Sequence, residues 1–65
     1  MKFQKVKTEH WLYIDNKHIA TIEKFYKGYV IRKAWPEDAK LLELNNKTWF
    51  CNIVDAKTEL KNYYA

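Results

Sequence analysis

From His10 to Lys33 the apolar and polar positions follow a period of two. The run HWLYIDNKHIATIEKFYKGYVIRK is rich in β-branched and aromatic residues and is broken by turn-forming residues at 15–17 and 27–28. The pattern predicts three antiparallel strands. With Lys27 and Gly28 as a two-residue loop, Tyr26 stands opposite Tyr29, Lys24 opposite Ile31, Ile22 opposite Lys33, and Glu23 opposite Arg32 as a cross-strand ion pair. With Asn16 and Lys17 as the preceding loop, Tyr13 stands opposite Ala20 and Trp11 opposite Ile22, and the two registers agree. Side chains alternate along a strand. One face then collects Trp11, Tyr13, Ala20, Ile22, Tyr29, Ile31 and Trp35, with Tyr26 at its edge. The other collects Leu12, Ile14, Ile19, Thr21, Phe25, Val30, Ala34 and the Glu23–Arg32 pair. A one-residue slip at the first turn would exchange the contributions of the first strand between the faces.

Near the end of the chain the period lengthens to that of a helix. In NIVDAKTELKNYY, Ile53, Ala56, Leu60 and Tyr63 or Tyr64 fall on one stripe, Asn52 stands at the capping position, and Asp55 lies three residues later as in a capping box. Between sheet and helix, WPEDAKLLELNNKTWF supports two readings. Pro36, Glu37 and Asp38 resemble a helix start that would run to Asn45. Alternatively LLEL and KTWF form a hairpin across Asn45 and Asn46, a pair that tolerates positive φ, and this reading is preferred. The expected fold is α+β: one domain over residues 1–65, with a small antiparallel β-sheet of three to five strands and one C-terminal helix packed on a face.

Composition sharpens this picture. A chain of 65 residues buries only about 60% of its unfolded surface. Three Trp, five Tyr and three Phe compensate, because each aromatic buries roughly 150–250 Å². The net charge of +4 is unevenly spread: residues 1–33 carry eight Lys or Arg against Glu9, Asp15 and Glu23, whereas residues 34–65 carry four Lys against five acids. Such asymmetry favours an anionic partner. Cys51 stands alone, so it is expected as a reduced, partly buried thiol. No segment reaches the length of a membrane span, and a cytoplasmic protein is expected.

No constellation specifies a reaction. Cys51 has only His10 and His18 as prospective bases, one at a strand start and one in a turn; Glu37 and Asp38 read as a solvated turn or helix start; Gly28 is the only glycine, so no phosphate-cradling loop exists. A non-enzymatic protein with no cofactor and no metal site is expected, leaving two binding chemistries. If one helix covers one of two apolar faces, the other is an exposed patch for a protein partner, and Trp11, Tyr13 and Tyr29 from one face with Phe25 and Arg32 from the other are the expected contact residues. A homodimer through the same face would cover it too. Alternatively the basic half binds nucleic acid, with Lys24, Lys27, Arg32 and Lys33 on phosphates and Tyr26 stacking on bases. Eleven of the twelve basic residues are Lys, which lack the planar fork that reads guanine.

At WLYIDNKHIATIEKFYKGYVIRK followed by NIVDAKTELKNYY, the chain resembles small orphan proteins of bacteriophages, which combine a strand-turn-strand-strand run with a C-terminal helix. That resemblance implies an accessory protein that modulates a host protein, and it transfers no site residue. In outline the chain is also similar to the three-stranded-sheet-plus-helix DNA-binding domains of tyrosine integrases and plant AP2 factors. Those read the major groove with several arginines, a role that here falls to Arg32 alone.

Overall fold

The structure, a computed structural model, describes residues 1–34 and 41–65. The readings that place Trp35 on a sheet face and a helix start at Pro36, Glu37 and Asp38 lie outside the described residues.

Five strands form one antiparallel sheet: β1 (Lys2–Val6), β2 (Glu9–Ile14), β3 (Lys17–Phe25), β4 (Gly28–Lys33) and β5 (Trp49–Phe50), in the spatial order of their sequence. One helix, α1 (Ile53–Tyr63), follows. The α+β fold expected from the periodicities is therefore the fold observed. β1 lies outside the periodic run and gave no strand signal of its own; its KFQKV pairs along the whole outer side of β2.

Both predicted hairpin loops sit one residue earlier than expected. Asp15 and Asn16 have φ of 52° and 64°, and Tyr26 and Lys27 have φ of 48° and 61°. Two consecutive left-handed residues are the signature of a type I′ turn, whose twist matches that of the flanking strands. Moving a two-residue loop by one position shifts each partner by two, which leaves the faces unchanged. Glu23 therefore pairs with Val30 and Thr21 with Arg32, and Arg32 Nε reaches Glu23 Oε2 diagonally at 3.1 Å.

Between β2 and β3 the register also breaks. Tyr13 pairs with His18 but Leu12 pairs with Ala20, so Ile19 is an extra residue in β3. Such a bulge moves everything beyond it to the opposite parity. This is the one-residue slip whose effect the sequence allowed for: Leu12 joins Ala20, Ile22 and Ile31 on one face, and Trp11 and Tyr13 go to the other.

α1 lies on the Leu12 face. Its Ala56 and Leu60 are buried together with Leu12, Ala20, Ile22, Ile31, Leu42, Leu44 and Phe50, and Phe3, Tyr29, Ile53 and Tyr64 pack around them. Fully burying a side chain such as Leu12, Ile22, Ile31 or Leu60 contributes about 1.5–3 kcal/mol. The stripe on α1 thus ends in Tyr64, while Tyr63 stays exposed. Burial pushes the Tyr64 phenol above its ordinary pKa, with a smaller push from Tyr63. The predicted cap forms: Asn52 Oδ1 accepts from Asp55 N at 2.8 Å, and Asn52 Nδ2 donates to Asp55 Oδ2 at 3.1 Å.

In the segment before α1 the Asn pair does turn the chain. Asn45 and Asn46 have φ of 53° and 62°, and Leu44 and Lys47 exchange two backbone hydrogen bonds of 2.8 Å. The flanks then separate instead of extending a hairpin. Leu41 bridges Arg32, Trp49 and Phe50 pair with Val30 and Tyr29, and Leu42 and Leu44 enter the core. Docking onto β4 wins because it buries both leucines, which an isolated two-stranded ribbon would leave exposed. A helix running to Asn45 is excluded over the described residues 41–45. Cys51 is exposed rather than partly buried, since it sits between β5 and the Asn52 cap; Asn52 Nδ2 lies 3.6 Å from its Sγ.

Candidate binding face

The sheet face opposite α1 carries most of the residues expected to contact a protein partner. Alternation from the observed registers places Trp11 and Tyr13 of β2, His18, Thr21, Glu23 and Phe25 of β3, Val30 and Arg32 of β4, and Trp49 of β5 on this side. α1 and the core leucines lie on the other side.

Two aromatic groups define the face. At the β2–β3 end, Trp11 and His18 stack with ring centroids 4.2 Å apart and planes 5° from parallel, and Tyr13 leans on both at 6.4 and 5.6 Å. The turn at Asp15 and Asn16 sets His18 opposite Tyr13, and the bulge beyond it brings Thr21 to the same side. Polar partners hold the rings in place. Trp11 Nε1 donates to Glu9 Oε1 at 2.9 Å, and His18 Nε2 lies 2.8 Å from Thr21 Oγ1 and 3.1 Å from Ala20 O. Beyond His18 the face borders a cleft of about 770 Å³, to which Lys17, Ile19, Lys33 and Tyr64 contribute.

At the β3–β4 end, Trp49 lies across Gly28, and its Nε1 donates to Phe25 O at 2.9 Å. Trp49 remains 42% exposed and Phe25 45% exposed, so both present apolar surface after packing, whereas the neighbouring Val30 is buried. The Glu23–Arg32 pair separates the two aromatic groups, with both side chains about one-third accessible. In such a position the pair orients two charges more than it stabilises the fold.

The face gathers Trp11, Tyr13, Phe25 and Arg32 of the expected protein-contact residues. Tyr29 is not among them: it pairs with Lys24 and Phe50 on the helix side and packs on the core. The candidate nucleic-acid residues are scattered. Lys24 and Lys33 share the helix side with Ile22 and Ile31, Lys27 sits in the turn, and Arg32 is on the opposite face bonded to Glu23. Tyr26 projects from the turn, 82% exposed, with its ring edge-on to Phe25 at 4.4 Å. Sequence reasoning missed His18 and Trp49 as parts of the face. The signal for Trp49 was the lone glycine, which accommodates its ring; the place of His18 opposite Tyr13 depends on the Asp15–Asn16 turn, one residue earlier than expected.

Comparison of the chain with protein-family models, with curated proteins and with solved structures found no match. Among the described residues no helix is long and apolar enough to cross a membrane.

Proposed function

We propose that this chain is a small non-catalytic accessory protein that binds a protein partner through the sheet face opposite α1. The observation that supports the reading most is the pairing of preorganised aromatics with exposed ones on a single face: Trp11 stacked on His18 with Tyr13 tilted against both, and Phe25 and Trp49 nearly half accessible. Aromatic side chains and Arg dominate the energetics of protein interfaces, and rings already fixed lose little entropy on docking. The resemblance to bacteriophage accessory proteins suggests a host or phage protein as the partner and the cytoplasm as the place of action.

The competing nucleic-acid reading draws support from the net charge of +4. It is disfavoured by the division of Lys24, Lys33 and Arg32 between opposite faces. The test is affinity capture from the native host, identification of the captured protein, and titration of the purified pair. Under the protein-binding reading, Trp11→Ala and Phe25→Ala each weaken that affinity at least about tenfold, as expected of hot-spot truncations. Charge reversal at Lys24, Lys27 and Lys33 leaves it nearly unchanged. Saturable binding to DNA or RNA that falls steeply with salt and disappears on reversing Lys24 and Lys33 would replace this reading with the other.

A further inference from the structure

β1 is the longer of the two outer edges of the sheet, the other being the two-residue β5. Its register fixes which backbone groups point outward. Val6 and Glu9 flank the two-residue loop at 7–8, so they form a hydrogen-bonded pair, and bonded and non-bonded pairs alternate from there. Lys2, Gln4 and Val6 thus direct their N–H and C=O groups to β2, while Phe3 and Lys5 turn theirs away from the sheet.

The side chains of Phe3 and Lys5 share the helix side with their partners Leu12 and His10. Lys57 Nζ and Lys61 Nζ of α1 lie 5.2 and 5.9 Å from the Phe3 ring centroid. The His10 pKa is lowered, first by burial and then by the charges of Lys57 and Lys5, so these ammonium groups act on a common space. Among the described residues none of Lys2, Lys5, Lys7, Lys57 and Lys61 forms a salt bridge.

Lysines on an edge strand oppose pairing with a second copy of the same chain. The same charge attracts a strand of opposite sign. We propose that the β1 edge captures an acidic extended peptide by strand addition. The outward backbone groups of Phe3 and Lys5 hydrogen-bond to the incoming strand, and alternate carboxylates of that strand lie against Lys5, Lys57 and Lys61 beside the Phe3 ring. This surface is separate from the aromatic face and does not depend on it.

The full chain is titrated with a fluorescently labelled peptide alternating Glu with Val and Thr, and with the same peptide carrying Lys for Glu. Amide exchange is followed by NMR. The acidic peptide is expected to bind saturably, several-fold more weakly at about 300 mM than at about 50 mM salt, with slowed exchange at the Phe3 and Lys5 amides. The Lys variant should not bind. The double substitution Lys57→Glu and Lys61→Glu, on exposed or half-exposed helix positions, should weaken binding about tenfold or more while the circular dichroism spectrum stays unchanged. Absence of acidic-peptide binding would overturn the proposal. So would binding without protection of those two amides, equal affinity for heparin or single-stranded DNA, or protection that instead tracks formation of a homodimer.

Discussion

Gly28 is the only glycine in the chain, yet its φ is not positive; the left-handed positions of its turn belong to Tyr26 and Lys27. Its function is to lack a side chain. A Cβ there would overlap the indole of Trp49, leaving no room for both. Gly28→Ala is therefore expected to destabilise the protein by about 1–3 kcal/mol in urea unfolding. It should also displace the ring, weakening its hydrogen bond to Phe25 O and shifting tryptophan emission to longer wavelength. A variant of native stability and emission would show that the ring is not seated there. His10 makes a second prediction at this scale. Its folded pKa lies below 6.5, so the unfolded chain takes up the proton first as pH falls. Stability is retained above about 6.5 and declines as pH drops from there toward the folded pKa, below which this contribution stops changing. His10→Gln should flatten that part of the melting-temperature profile measured between about pH 7.5 and 5.

At the scale of elements, α1 was legible apart from the choice between Tyr63 and Tyr64, because each of its signals is local. The stripe Ile53, Ala56 and Leu60, the Asn52 cap and Asp55 all lie within one short segment, and all behave as their chemistry dictates. Asn52→Ala should cost about 1 kcal/mol by thermal or urea unfolding, since the Asp55 amide then loses its acceptor. The strands of the central meander were legible in kind, and β3 and β4 in face, but β2 turned its other side to the core. The β3–β4 loop was misplaced because the usual preference for glycine at positive φ pointed to residues 27 and 28. Packing of Trp49 overrode it and left Tyr26 and Lys27 in a conformation disfavoured for both. Lys27→Gly relieves that cost and should stabilise by about 1 kcal/mol in the same assay, whereas a neutral or negative effect would place the strain elsewhere. The bulge at Ile19 and the strand character of KFQKV carry no comparable local mark. One arises from reconciling the Asp15–Asn16 turn with burial of Leu12 beside Ala20, the other from the outer side of β2 needing a partner.

For the whole molecule, the expectation that both sides of the sheet are apolar proved half right. α1 and Leu42, Leu44 and Phe50 seal one side, and the other is aromatic with fixed polar partners rather than aliphatic. That distinction follows from which side β2 sends its tryptophan, a single-residue matter of register. Charge is also a property of the whole. With a net +4 and, among the described residues, one salt bridge, mutual repulsion of the lysines opposes the folded state. Raising salt from about 20 to about 300 mM should therefore raise the melting temperature by about 2–5 °C, and a fall on adding salt would contradict the charge balance described. Spatial order equal to sequence order has a kinetic meaning as well. The first four strands can zip together through three two-residue loops, but β5 reaches β4 only after residues 34–48 have closed a far larger ring. Indole emission from Trp49 should then mature last in a refolding trace, after the ultraviolet signature of the meander is complete, making the chain its own clock for the final step of assembly.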